Sequence, residues 1–216
     1  MLDSRPVWYK VVPYTERLMT SVATLTPREV AELSGAPKRV IEKAIEERVL
    51  RVRLRAARGT MRHARRMLPT HAVAYAAIIM KLDLKLSAVH KKRLLVRLAN
   101  LRPTDVRKAR VELAPAVEID VGRLVGDLMD RAERYRSARD ALIVVDRAIK
   151  GGTAVIRGTR MSVYSVLGRI EHGETVHDVL ADNPDLSREA IEAAIIYART
   201  HPLIGRPGGR PWADAA

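Results

Sequence analysis

The sequence holds no cysteine and no phenylalanine, and aromatic side chains make up only 4% of its 216 residues. Without cysteine there is no disulfide, no thiolate nucleophile and no cysteine-ligated zinc. Without phenylalanine, any core is built from Leu, Val, Ile and Ala. Long apolar runs are missing too. The longest, Ala72 to Met80, falls well short of the ~20 residues a membrane-spanning helix needs. The opening residues, MLDSRPVWYKVVPY, lack the apolar centre of a secretory signal. The expectation is a cytoplasmic protein with no membrane partner. Acidic charge is absent over one long stretch: no Asp or Glu occurs from Arg48 through Leu82, while Arg48 to Arg66 contain eight arginines.

Catalytic chemistry has little to stand on. The six histidines, at 63, 71, 90, 172, 177 and 201, show no tight metal spacing. His172 and His177 are five apart, which sets them on different helix faces. Asp182 and Asp185 flank Pro184 in an expected loop. No catalytic residue, no metal ligand and no cofactor is expected, and the chain does not read as an enzyme. The stretch GGTAVIRGTRMSV at 151–163 invites comparison with a phosphate-binding loop. Gly152 and Gly158 are separated by five residues, however, and Thr159-Arg160 follow where a lysine is required. The alternation at Ala154, Val155, Ile156 and Arg157 reads instead as a short strand ending in a turn at Gly158.

What is present is a folded, basic chain: 47% hydrophobic, 30% charged, net charge +14. Residues 1–120 hold 25 Lys/Arg against 12 Asp/Glu (+13), and residues 121–216 hold 14 against 13 (+1). The basic charge belongs to the first half and suggests a polyanionic partner there.

Thr26-Pro27-Arg28-Glu29 is a capping box that opens a short helix with Val30, Ala31 and Leu33 on its apolar side. Ser34-Gly35-Ala36 turns the chain into a second helix, about Pro37 to Arg48, burying Val40, Ile41, Ala44 and Ile45. This is the layout of a helix-turn-helix. The alternation from Val49 to Arg55 then predicts a strand with one buried and one arginine-bearing face. Gly59 turns, and Met61 to Leu68 return as a second basic strand. A helix-turn-helix followed by a basic hairpin is a winged helix. The residues expected at DNA are Thr26, Arg28, Lys38, Arg39 and Lys43 on the helices, and Arg51, Arg53, Arg55, Arg58, Arg62, Arg65 and Arg66 on the hairpin.

Helices follow from Pro69-Thr70 through Lys81 and from Leu86-Ser87 to about Leu101. Residues 109–113 and 117–120 alternate as a hairpin. A helix from Asp120 or Val121 carries Leu124, Val125, Leu128, Met129, Ala132 and Tyr135 on one stripe, with Leu124, Leu128 and Tyr135 as candidate contacts of a homodimer. The C-terminal region predicts a hairpin from 143–145 and 155–156, helices over 163–171 and 175–180, and a third through Arg199. The fold class is mainly α with short β-hairpins (α+β). The expected organisation is a winged helix-turn-helix over 1–102, a hairpin and connecting helix over 103–142, a β-hairpin plus three-helix domain over 143–203, and a disordered tail over 204–216.

Residues 20–100, with GAPKRVIEKAIEERVL and RMLPTHAVAYAAIIMKLDLKLSAVHKKRL, resemble the winged helix-turn-helix of MerR-like regulators. Residues 143–203 resemble a small bacterial domain of unknown function with the signature G-G-x-P-x-I-x-G-T-R-I-x-V. Gly151, Gly152, Ile156, Gly158, Thr159, Arg160, Val163, Gly173, Pro184, Leu186, Ala194, Tyr197 and Ala198 carry the match; Ala154, Met161 and Ser162 depart from it. The combination resembles a VapB-type antitoxin of toxin–antitoxin pairs. That resemblance implies two partners, operator DNA and a PIN-domain ribonuclease toxin of the VapC type, with Arg157, Gly158, Thr159 and Arg160 forming either a structural turn or a partner contact. The rival readings are a ligand-sensing transcriptional regulator and an RNA-binding accessory protein.

Overall fold

The computed structural model describes residues 24–57, 60–82, 86–101, 103–114 and 117–203. The described chain is mostly helical, with short antiparallel strand pairs, an α+β architecture. Helix α1 (Pro27–Ser34) starts as the sequence predicts: Thr26 Oγ1 accepts from the Glu29 amide at 3.2 Å, and the Glu29 carboxylate accepts from the Thr26 amide at 2.6 Å. A turn at Gly35 leads to α2 (Lys38–Glu46), which buries Ile41 and Ala44 and half-buries Val40 and Ile45. The helix stops two residues before the expected Arg48, which takes a positive φ of 54° and turns the chain.

Strand β1 (Arg53–Ala57) also begins later than the alternation predicts, because Val49 and Leu50 are adjacent yet both buried. It pairs with β2 (Thr60–Met67) in the register Arg53↔Met67, Leu54↔Arg66 and Arg55↔Arg65. Leu54, expected on a covered face, is 60% exposed. The reason is geometric: Met67 and Leu68 at the base of the ribbon are buried in the body, while Leu54 lies farther out along the strand. At that base Leu68 bonds Leu25 in both directions, at 2.6 and 3.0 Å.

The apolar run that is too short for a membrane becomes α3 (His71–Leu82), buried on every side from His71 through Ile78. A helix apolar all round belongs in the middle of a core. No helix among the described residues is long and apolar enough to cross a membrane. Helix α4 (Ala88–Asn100), capped by Ser87, packs beside it. A 3-10 turn (Pro103–Lys108) and the hairpin β3 (Arg110–Ala114) and β4 (Val117–Asp120) lead to α5 (Val121–Leu142), whose cap is Asp120, accepting from the Arg123 amide at 2.9 Å. The 3-10 turn lies directly on α5 at Gly122, where a Cβ would stand 1.9 Å from the Arg107 carbonyl oxygen. Only glycine admits that approach.

The last segment comprises β5 (Ile143–Val144) and β6 (Val155–Ile156), antiparallel, then α6 (Val163–Glu171), α7 (Val176–Asp182) and α8 (Arg188–Thr200). Ser162, Thr175 and Ser187 cap the three helices. Two cores result. One runs from Leu25 to Tyr135; the other joins Ala154, Ile156, Val163, Leu167, Val179 and Ile191. Helix α8 serves both, giving Ala190, Ile191, Ala194 and Ala198 to the second and Ala193 and Ile196 to the first.

Candidate functional site

The basic surface is built around α2 and the first hairpin. Lys38, Arg39 and Lys43 are exposed on α2, and Arg28 is exposed on α1. Lys38 pairs with Glu42 at 2.8 Å. Hydrogen bonding and charge from Lys38, with Arg66 adding to the field, hold the Glu42 carboxyl below its ordinary range. Arg66 on β2 is thus near enough to Glu42 on α2 for its charge to be felt there. On the ribbon Arg51, Arg53, Arg55, Arg65 and Arg66 are exposed. Arg58 lies outside the described residues. Arg62 is on β2, and its side chain is not among those described. Thr26 is half-buried with its hydroxyl engaged in the cap.

Arg55 and Arg65 stand directly opposite one another. Like charges in directly opposed cross-strand positions destabilise a sheet. The described residues of both strands bring no acid to offset them. Arg65 lies close to the C-terminal region, where its charge acts on the Tyr197 and Tyr164 phenols and on His201. Tyr197 stacks on His201, with ring centroids 4.1 Å apart, and Tyr164 donates to the His201 carbonyl at 2.6 Å.

Behind this surface lies a buried ionic cluster that sequence reasoning missed. The Glu29 side chain is fully buried beside Arg139. It accepts from the Tyr135 hydroxyl at 2.5 Å, from Arg139 Nη1 at 2.8 Å and from the Thr26 amide. Burial works against its charge, but Arg139, the Thr26 amide and Tyr135 outweigh it and hold the carboxyl below its usual range. Burial, and then Glu29, push the Tyr135 phenol well up. Arg139 also donates to the Thr24 carbonyl at 2.9 Å and pairs with Asp140. The cluster fixes α1 to α5. Tyr135, a candidate dimer contact by its stripe, is therefore an interior residue of the single chain. Leu124 and Leu128 are half-buried against the same core. The one available signal was Glu29 itself, an acid standing in the apolar stripe with Val30 and Leu33.

The second candidate region is the turn Arg157–Arg160. Gly158 has φ 76°, and Thr159 closes the turn by donating through both its amide and its hydroxyl to the Ile156 carbonyl, at 3.1 and 2.9 Å. Arg157 Nε donates to the Ala141 carbonyl at 2.5 Å, and its amide donates to Leu142. Arg157 is thus the arginine that ties the turn to the end of α5. Arg160 is exposed and makes no hydrogen bond or ion pair among the described residues. Among those residues no cluster of three or more His, Asp or Glu could hold a metal ion.

The C-terminal region defined by this turn and the second core matches a known family. Residues 143–198 match the family described as a protein of unknown function, DUF433. An uncharacterized protein, y4eO, of Sinorhizobium fredii is 36% identical over 88 residues, which cover 41% of this chain and 39% of that protein. This chain thus spans well under half the length of that curated relative. No solved structure matches.

Proposed function

We propose that this protein is an antitoxin of the VapB type: a winged helix-turn-helix reads operator DNA, and the DUF433-like region binds and neutralises a PIN-domain ribonuclease toxin. The carrying observation is the one-signed surface: Arg53 and Arg55 on β1 and Arg65 and Arg66 on β2 are exposed beside exposed Lys38, Arg39 and Lys43, and the described residues of the two strands include no acid, which suits a polyanion. The Leu25–Leu68 bridge closes the base of the ribbon as a wing requires. The near-neutral C-terminal region offers a separate surface, with a fixed turn and the unpartnered Arg160 beside it. Arg160 suits an acidic pocket of a nuclease. Operator binding by the same chain would repress its own operon.

The test is binding of the promoter fragment as a function of salt. Arg53→Ala/Arg55→Ala lowers affinity for all sequences and reduces the slope of log K against log salt by about 2, one unit per phosphate contact. An unchanged slope removes the wing assignment. For the second half, the neighbouring PIN-type nuclease co-purifies with the wild type. Gly158→Val, which forces a β-branched residue to φ 76°, reduces neutralisation and leaves operator binding intact.

A ligand-sensing regulator is the second reading, and one cavity favours it. A space of about 460 Å³ is bordered by Thr24, Thr70, His71, Leu98, Val106 and Met129. Of these bordering residues, Thr24 and His71 each have a buried side-chain atom, Oγ1 and Nε2, without a hydrogen-bond partner among the described residues. A small molecule that releases the operator, with no nuclease partner found, selects the sensor.

A further inference from the structure

The two orphaned polar atoms, Thr24 Oγ1 and His71 Nε2, belong to residues that border one and the same space. It lies between the start of α3, the end of α4, the 3-10 turn and the middle of α5. Thr24 is 8% exposed and His71 7%. The two residues are tied closely together: the Thr24 amide donates to the Leu68 carbonyl at 3.0 Å, and His71 follows Leu68 by three positions. Folded proteins rarely leave a buried polar atom without a partner, because its lost hydration is not made good. The volume of about 460 Å³ falls among small-molecule sites, which run from about 300 to 1,000 Å³. Leu98, Leu101, Val106 and Met129 give the space apolar walls. Asp130, Glu133 and Arg136 also border it, but each is already matched. Arg107 Nε donates to Asp130 at 3.0 Å, and Arg136 Nε to Glu133 at 3.0 Å. The border therefore has no charge left over to balance an ion. His71 adds none, since burial lowers its imidazole to about 4 and leaves the ring neutral near neutral pH.

We propose that this space binds an uncharged small molecule with a compact apolar body and one hydroxyl head, the head bonding Thr24 Oγ1 and His71 Nε2. A hydroxyl both donates and accepts, so it serves the Thr24 hydroxyl together with either tautomer of the His71 ring. The apolar walls take the body, and the unbranched Met129 side chain adapts to its outline. A carboxylate or an ammonium group would be buried with no free counter-charge, so charged molecules of the same size are rejected. The site adjoins the base of the ribbon, where the Thr24 and Leu25 amides both donate to the Leu68 carbonyl. The Thr24 carbonyl in turn accepts from Arg139, the partner of Glu29 on α1. The inference deepens the sensor reading by naming the class of ligand, and rests on that reading only for an effect on the operator.

Titration of the full-length chain with p-cresol, toluene and p-toluate tests it. The three share a body and differ in carrying a hydroxyl, no head or a carboxylate. Nitrogen NMR of labelled histidine rings is the readout, with the His71 signal identified by its loss in His71→Leu. In the wild type p-cresol binds saturably at millimolar concentration and shifts the His71 ring signal. Toluene binds about tenfold more weakly, and p-toluate does not bind. Thr24→Val keeps the shape and removes the orphaned hydroxyl, so it folds as well as the wild type and holds p-cresol about tenfold more weakly. Ala99→Leu, on the border of the space, fills it and abolishes binding of p-cresol. A p-cresol titration that leaves the His71 signal unmoved means that water alone satisfies the pair, and overturns the proposal. So does equal affinity for p-cresol, toluene and p-toluate, or p-cresol binding that Thr24→Val leaves unchanged. Operator affinity is measured separately: if p-cresol binds and the operator stays bound, the sensor reading fails and the site stands.

Discussion

The buried cluster at Glu29 makes a quantitative demand on stability. Glu29→Gln keeps the volume but leaves one acceptor oxygen in place of two: with that oxygen serving Tyr135 and Arg139, the new NH2 faces the Thr26 amide, so the charge and the capping hydrogen bond are both lost. It leaves Arg139, whose side chain is 11% exposed, without its buried counter-ion. Breaking a buried pair by removing one partner costs about 3–5 kcal/mol. Asp140 and the Thr24 carbonyl still hold Arg139, so the lower end, about 3 kcal/mol, applies. For a chain of this size that corresponds to a fall in Tm of about 6–12 °C. Urea unfolding and calorimetry of Glu29→Gln, Arg139→Met and the double variant measure it. The double variant is more stable than the sum of the single losses requires, since it buries no lone charge. A Glu29→Gln loss under about 1 kcal/mol, or simple additivity, refutes the reasoning. The carboxyl is depressed in the folded state, so its contribution is complete above the ordinary carboxylate range and disappears as pH falls through its lowered value.

Two further predictions concern packing and protonation. Gly122→Ala drives a methyl into the Arg107 carbonyl and costs about 3 kcal/mol, the upper end for overpacking. Gly126→Ala, whose nearest neighbour is the Arg107 Cγ at 3.5 Å, changes urea stability far less, and equal losses count against the close approach. His71 is pushed by burial down to about 4, so the unfolded chain takes up its proton before the folded one does. Its contribution is complete above about pH 6.5 and is lost as pH falls toward 4, by up to about 3 kcal/mol. Comparing urea stability of the wild type and His71→Leu across that window detects it, and parallel curves contradict it.

Local signals in the sequence located most of the elements. Thr26, Ser87, Asp120, Ser162, Thr175 and Ser187 each cap a helix within a residue or two of where the pattern places it. Those interactions lie three residues apart, so sequence alone displays them. The positive φ at Gly158 was legible for the same reason. Leu54 was misplaced because alternation reports a strand and says nothing of whether a second layer covers it. Tyr135 was misplaced because a helical stripe does not say which surface it meets. Glu29 and Arg139 are 110 positions apart, and only the packing of α1 on α5 brings them together. Arg157 and Arg160 were equivalent in sequence; the Ala141 carbonyl, supplied by the end of α5, distinguishes them.

Helix α8 lies inside the region that matches a family, yet Ala193 and Ile196 on its other side belong to the first core. The family boundary is therefore not a seam in the molecule. A chain cut before residue 143 exposes the wall that Ala193 and Ile196 cover, and one cut after residue 120 loses α5 as well. A recombination event that exchanges this C-terminal region for a relative's must bring side chains that fit where Ala193 and Ile196 meet the first core. The packing unit is thus larger than the segment that matches the family, because one helix has two neighbours to satisfy.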